Sequence, residues 1–206
     1  MKIQALLIDA DGVIQYAPTD WTTEFSALLG SDDLHEQTQF SLDIWAAETA
    51  TLTRSHGFTE ELTLALEKWS QSEKLKQILD VMLSIHSYED NLHLFQSIRR
   101  TGIKCYLASN QQASRALYMS EVLNYRSLFE GEFYSCFVGA AKPDQQFFKV
   151  VLSKVGLDEA SILFIDDREE NVEGARRLGF QAALYDGAQG VDALRALLNR
   201  FGLPDV

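Results

Sequence analysis

Short, wholly apolar runs alternate with stripes of helical spacing along most of this chain. The runs fall at 3–8 (IQALLI), 103–108 (IKCYLA), 133–138 (FYSCFV), 161–165 (SILFI) and 181–184 (QAAL). None shows the alternation of a strand with one wet face, so they fit a parallel sheet covered on both sides. Between them lie helical stripes with glycine stops: Leu92, Phe95 and Ile98 before Gly102; Phe147, Phe148, Val151, Leu152 and Val155 before Gly156; Val172, Ala175 and Leu178 before Gly179. Repeated β-α-β units predict an α/β fold with a doubly wound parallel sheet of Rossmann type. Any active site is then expected beyond the carboxyl ends of the strands.

Residues 16–88 break the alternation with helix after helix and no convincing strand. Trp21, Phe25, Leu28 and Leu29 end at Gly30, a further helix is expected over 33–53, and Leu62, Leu66 and Trp69 form another stripe. A last stripe holds Leu75, Ile78, Leu79 and Met82. The predicted organisation is a Rossmann-like core from 1–15 and 89–206 with a helical domain inserted at 16–88. That insert is large enough to cap a site, and it could equally be a packing or dimerisation element.

Composition narrows the partners. Among 206 residues, 18 Lys and Arg face 30 Asp and Glu, a formal charge of -12. Without a basic stripe, that charge repels nucleic-acid backbones and anionic membranes. No signal-peptide or membrane-spanning pattern is visible, so a cytoplasmic protein, monomer or homodimer, is expected. Cys105 and Cys136 each lie in an apolar run read as strand, far from ligand spacing, and are expected to be buried, reduced thiols. His35, His56, His86 and His93 show no ligand spacing either and are expected at the surface.

The polar residues closing the apolar runs carry the chemistry. The first run ends in Asp9 and Asp11, the second in Ser109 and Asn110, the third is followed by Lys142, and the fourth ends in Asp166 and Asp167. Alone, DADG is an acidic turn and DDREEN a helix start whose acids suit the dipole. Together on one rim, four carboxylates are tolerable only around a divalent cation, and all-oxygen ligands suit Mg²⁺. An EF-hand is excluded because Gly12 stands fourth from Asp9 rather than sixth, after a strand. Lys142, held extended by Pro143 at the positive end of a helix over 144–155, is either a solvated lysine at a cost of a few tenths of a kcal/mol or a cation relieved by a nearby anion, and the acidic cluster favours the second. Ser109 and Asn110, before a helix beginning near Gln112, can present a hydroxyl and N–H groups to a phosphate. Coupling to Asp9 is expected to raise the pKa of Asp11 toward that of a useful acid.

In this order, DADGV, LASN, KPD and FIDDREENVEGARRLGF resemble the four motifs of the haloacid dehalogenase-like hydrolases. The resemblance runs from residue 3 to about 185, the insert excepted. The insert's position, between the first and second motifs, is similar to the helical cap of that family's first subclass. The resemblance implies Mg²⁺-dependent phosphoryl transfer from a small phosphorylated metabolite, such as a sugar phosphate, through an aspartyl-phosphate. Asp9 would be the nucleophile and Asp11 the acid and base, with Ser109, the Asn110 amide and Lys142 on the phosphate. Asp9, the Asp11 carbonyl and Asp167 would hold the metal, with Asp166 orienting water or sharing the ligation. The spacing leaves Asp166 and Asp167 open, and the resemblance favours Asp167.

Three other readings stand beside this one. A 2-haloacid dehalogenase of the same family would work without metal and lack Asp11. A phosphomutase would use the same constellation, and a non-catalytic binding protein would keep only the fold. Gln15, Tyr16, Trp21, Trp45, Arg54 and His56 are the insert and hinge residues that could meet a substrate, although tryptophans on apolar stripes are more often core.

Overall fold

A computed structural model describes residues 2–204 of the chain. Its strands are β1 (Ala5–Ile8), β2 (Gln15–Tyr16), β3 (His86–Ser87), β4 (Lys104–Ser109), β5 (Gly131–Tyr134), β6 (Ile162–Asp166) and β7 (Gln181–Leu184). Five form one parallel sheet in the order β5-β4-β1-β6-β7. Successive side chains of a strand point to opposite faces. Accordingly Leu6, Ile8, Cys105, Leu107, Leu163 and Ile165 join one buried cluster, while Ala5, Leu7, Tyr106, Ala108, Ile162 and Phe164 join another. Both faces are dry, which is why the apolar runs show no alternation.

The helices are α1 (Trp21–Leu29), α2 (Leu34–Thr51), α3 (Phe58–Lys68), α4 (Leu75–Leu83), α5 (Glu89–Arg100), α6 (Ala113–Leu117), α7 (Tyr125–Leu128), α8 (Ser135–Val138), α9 (Gln145–Val155), α10 (Glu169–Arg176) and α11 (Val191–Arg200). α5 and α11 cover one face through Leu92, Phe95, Ile98, Leu194 and Leu198. α9 and α10 cover the other through Phe147, Phe148, Val151, Val172 and Ala175. Phe148 meets Phe164 of β6 edge-on at 5.4 Å between ring centroids, a geometry favoured by the ring quadrupoles.

Helices α1 to α4 form the insert and bury an apolar cluster of their own, including Phe25, Phe40, Ile44, Phe58, Leu62, Leu66, Ile78 and Met82. The insert starts helices where its sequence supplies caps: Asp20 accepts from the Thr23 N–H, and Asp33 from those of His35 and Glu36. Its two ends are zipped together by β2 and β3, an antiparallel pair of two residues each. The expectation of no strand in this stretch is therefore corrected at its hinge.

One predicted strand is displaced. The run at 133–138 is strand only to Tyr134, and the chain then turns through α8, closed by Gly139 at φ 81. Cys136 is thus helical rather than extended, yet buried as expected. A buried helical turn and a buried strand leave the same apolar signature.

Candidate active site

The order of the sheet reverses at β1: the chain runs from there to β4 and β5 on one side, then crosses back to β6 and β7 on the other. Loops leaving the carboxyl ends therefore part and open a crevice. Asp9 sits at its floor, its N–H still bonded to the Ile165 carbonyl at 2.9 Å. A pocket of about 160 Å³ there is lined by Asp9, Asp11, Ser109, Asn110, Lys142, Asp167, Arg168 and Asn171.

Lys142 is the pivot of the buried charges. Its Nζ lies 2.9 Å from Asp9 Oδ1 and 2.6 Å from Asp166 Oδ2, and all three side chains are nearly inaccessible. Asp166 is fully engaged: Oδ1 accepts from the Arg168 N–H at 2.9 Å, and Asn171 Nδ2 bridges both oxygens at 3.0 and 3.1 Å. Asp9 Oδ1 also accepts from the Ala10 N–H at 2.7 Å. The Asp9 contacts with Lys142 and Ala10 are both at Oδ1, and the residue lines the pocket. The Asn110 side chain clamps the lysine's backbone, donating to its carbonyl at 2.8 Å and accepting from its N–H at 2.9 Å. That side chain is therefore spent on aiming Lys142, which leaves only the backbone N–H of Asn110 for a ligand. Ser109 Oγ accepts from Gln111 Nε2 at 3.0 Å.

Three carboxylates, Asp9, Asp166 and Asp167, each offer an oxygen within 4.8 Å of the others. Against them stands one buried ammonium, so with all three ionised the cluster carries two unmet negative charges. Burial pushes the Asp9 carboxyl well above the usual carboxylate range despite Lys142, and the Asp166 charge pushes the same way. Burial and Asp166 likewise push Asp167 up to about 6. Lys142 is raised: burial opposes its charge, but the two carboxylates outweigh that. A group of hard oxygens short of two positive charges fits a divalent cation of the Mg²⁺ type. The cradle for Asp167 points the same way. Gly12 turns at φ +75, and a Cβ there would lie 2.2 Å from Asp167 Oδ2. Only glycine both adopts that conformation without cost and lets the carboxylate approach.

Asp11 behaves differently from its neighbour. Its Oδ2 accepts from Arg115 Nη1 and Gln111 Nε2, both at 2.6 Å, and its Oδ1 from Gln15 Nε2 at 2.9 Å and Arg115 Nη2 at 3.0 Å. Burial would raise this carboxyl, but the Arg115 guanidinium overcomes it and holds Asp11 below its ordinary value. The expected upward shift is thus corrected. The reason is a buried arginine on α6 that forms no part of the motif.

The structure brings together all seven residues read from the rim: Asp9, Asp11, Ser109, Asn110, Lys142, Asp166 and Asp167. Arg115, Gln111, Arg168 and Asn171 are the site residues missed. Arg115, on α6, has its partner Asp11 104 positions away, so no local signal in the sequence flags it. Of the insert and hinge candidates, Gln15 reaches Asp11, and the Trp21 ring lies 4.9 Å from the Arg115 guanidinium carbon. Trp45 stacks behind Trp21 at 5.4 Å, and Tyr16 packs on Tyr88 at 4.7 Å. Arg54 and His56 are exposed, the first bonded to the Ala50 carbonyl and the second beside Ser55, and neither lines the pocket. All four histidines are exposed. No helix among the described residues is long and apolar enough to cross a membrane.

Known proteins share both sequence and architecture with this chain. A phosphatase of Mycobacterium tuberculosis is 29% identical over 202 residues, covering 90% of this chain and 88% of its own. A haloacid dehalogenase family enzyme of Bacteroides thetaiotaomicron, solved in complex with magnesium and inorganic phosphate, superposes with a TM-score of 0.75 at 25% identity. It covers 93% of this chain and 98% of its own. The L-2-haloacid dehalogenase of Xanthobacter autotrophicus, with chloropropionic acid covalently bound, shares the fold at a TM-score of 0.61 and 15% identity, over 98% of this chain and 85% of its own. Fold alone does not separate these activities. The haloacid dehalogenase-like hydrolase family matches residues 3–179, and with that span including every rim residue described above, the chain belongs to the haloacid dehalogenase-like hydrolases.

Proposed function

We propose that this hydrolase is a Mg²⁺-dependent phosphatase acting on a small phosphorylated metabolite, with a sugar phosphate as the first candidate. One observation carries the reading: the Asp9 carboxylate lines a pocket of about 160 Å³, beside a buried ammonium and within a cluster of three carboxylates. That volume suits a phosphoryl group and leaves the remainder of the ester to lie toward the insert. The magnesium-phosphate complex of the Bacteroides enzyme and the phosphatase of M. tuberculosis support the same choice. A dehalogenase reading gains nothing from the acidic cluster, whose three oxygens suit a cation.

Asp9 attacks phosphorus in line, and the bond from phosphorus to the ester oxygen breaks as that oxygen takes a proton from Asp11, whose carboxyl carries one only when its pairing with Arg115 is loosened. Asp11 then takes a proton from water as the water's oxygen attacks the aspartyl-phosphate, releasing inorganic phosphate and restoring Asp9. Throughout, the remaining N–H of Lys142, the Ser109 hydroxyl and the Asn110 backbone N–H hold the non-bridging oxygens. Asp9, the Asp11 carbonyl and Asp167 would hold Mg²⁺, which when bound neutralises charge between carboxylate and phosphate. Asp166 has both oxygens committed to Lys142 and Asn171, so its part is to aim the lysine. The core comprises 1–15 and 89–206, and 16–88 acts as the cap that keeps bulk water off the aspartyl-phosphate.

The deciding experiment is hydrolysis of a panel of phosphorylated metabolites with and without Mg²⁺, beside Asp9→Asn. Metal-dependent phosphate release by the parent, lost in the variant, is expected. Release at the parent rate by Asp9→Asn would remove the nucleophile from the scheme. Absence of turnover together with absence of metal binding would favour a binding protein.

A further inference from the structure

Three hydrogen-bonding groups around the Arg115–Asp11 ion pair are left unused, two from the insert and one from the core. The pair itself is saturated: Nε of Arg115 donates to the Met82 carbonyl at 2.9 Å, Nη1 to Asp11 and Gln111, and Nη2 to Asp11. Gln15, fully buried, gives Nε2 to Asp11 Oδ1 at 2.9 Å, and its Oε1 is buried without a partner. The ring of Trp21 on α1 lies 4.9 Å from the Arg115 guanidinium carbon, and its Nε1 is likewise buried without a partner. Glu48 of α2 is the third group. Burial pushes its carboxyl up to about 7, Arg115 and Asp11 are the charges that act on it, and no hydrogen-bond donor is among the causes. Asp11 lines the phosphate pocket, so all three groups gather about one of its walls.

Polar groups buried without partners are costly, and the senses of these three define what would satisfy them. Gln15 Oε1 and an ionised Glu48 accept, whereas Trp21 Nε1 only donates. A hydroxyl does both, so a leaving group with several hydroxyls answers all three. An alkyl chain answers none. An ammonium has no acceptor and leaves the indole N–H unmet.

We propose that Glu48, Trp21 Nε1 and Gln15 Oε1 form a subsite for the hydroxyls of the leaving group, which selects polyol phosphates over alkyl phosphates of the same size. The inference rests on the phosphatase reading above and deepens it. Glu48 is its principal specificity residue, because hydrogen bonds to an ionised acceptor are roughly twice as strong as those between neutral groups.

The test pairs each polyol ester with a counterpart lacking the hydroxyls: glycerol 1-phosphate with propyl phosphate, and glucose 6-phosphate with cyclohexylmethyl phosphate. The readout is the ratio of kcat/KM within a pair, which cancels any general damage to the chemistry at phosphorus. The parent should favour at least one polyol by ~10²-fold or more, since a site built around hydroxyls rejects the analogue without them. Glu48→Met should cut that ratio roughly 10- to 100-fold, chiefly through a higher KM for the polyol. Glu48→Gln, which keeps one acceptor, should cut it less. Trp21→Phe keeps a ring beside Arg115 and removes the N–H, and should cost about 3- to 10-fold.

Equal losses on both members of a pair, or an unchanged ratio in folded Glu48→Met and Trp21→Phe, would overturn the proposal. Should Glu48→Met fail to fold, Glu48→Gln and Trp21→Phe decide alone. A parent that prefers 2-aminoethyl phosphate to both polyols, and loses that preference in Glu48→Gln, would make this a cation site and also overturn it. The two failures are distinguishable. A parent inactive on all these esters and on nitrophenyl phosphate defeats the phosphatase reading and the inference with it. A parent active on nitrophenyl phosphate but indifferent to the hydroxyls defeats the inference alone.

Discussion

Asp9 and Asp11 stand two residues apart on one turn, yet their surroundings have opposite character. Asp9 faces β6 and the loop of Lys142, where three carboxylates share one ammonium and its own carboxyl is pushed up by burial. Asp11 faces α6 and the insert, where Arg115 balances it and holds it down. The first environment is short of positive charge and the second is neutral. A single acidic motif thus supplies a group waiting for a cation and a group already paired, and the elements that meet each side chain decide which is which.

Two asparagine substitutions break that comparison most directly. Asp9→Asn should lower turnover at least ~10³-fold, because an amide oxygen is a poor nucleophile. In metal-free buffer the same change should raise stability by about 1 kcal/mol, since it removes one of the unmet charges. Asp11→Asn should do the reverse to stability, lowering it by about 2 kcal/mol, because Arg115 is left buried without its anion. Urea denaturation of both variants with EDTA present measures the signs. If both variants moved in one direction, the two environments would not differ as described.

The residues at the carboxyl ends of β1, β4 and β6 were legible because an apolar run gives the strand, and the polar residue ending it must lie on the rim. Asp9, Ser109 and Asp166 were found in this way, and Lys142 from the Pro143 that follows it at the start of α9. Arg115 was not, because its partner lies 104 positions away and no local rule assigns an arginine to a buried pair. The role of the Asn110 side chain was hidden for the same reason: its amide complements the backbone of Lys142 rather than anything near it in sequence. In the fold, the apolar stripes gave the insert's helices, but β2 and β3 are two residues long and too short to leave a period. The run at 133–138 misled because burial does not distinguish strand from helical turn.

A smaller perturbation sharpens the cation-seeking side alone. Gly12→Ala introduces a Cβ where Asp167 Oδ2 lies 2.2 Å away, at a φ of +75 that alanine tolerates poorly. The Asp167 carboxylate must move, so the Mg²⁺ concentration for half-maximal activity should rise about 10-fold, with a stability cost of about 1 kcal/mol. Titration of activity against Mg²⁺ checks it. An unchanged metal requirement would mean that Asp167 is not a ligand.

The smallest effect probes the neutral side through pH. Glu48 of α2 lies within electrostatic reach of Arg115 and Asp11, and burial pushes its carboxyl up to about 7, with Arg115 opposing and Asp11 adding to the rise. The folded protein therefore holds the Glu48 proton more tightly than the unfolded chain, where a glutamate titrates near 4.3. Below about pH 4 both states are protonated and the group contributes in full. As pH climbs toward 7 the unfolded chain gains by ionising while the folded one cannot follow, so stability drains away across that window. Glu48→Gln removes the titration. Its unfolding free energy relative to the parent should accordingly grow between pH 5 and pH 8, by about 1 kcal/mol once screening at this half-buried site is allowed for. A difference that stays flat across the range would show that Glu48 is solvated, and that the charge balance around Asp11 is complete with Arg115 alone.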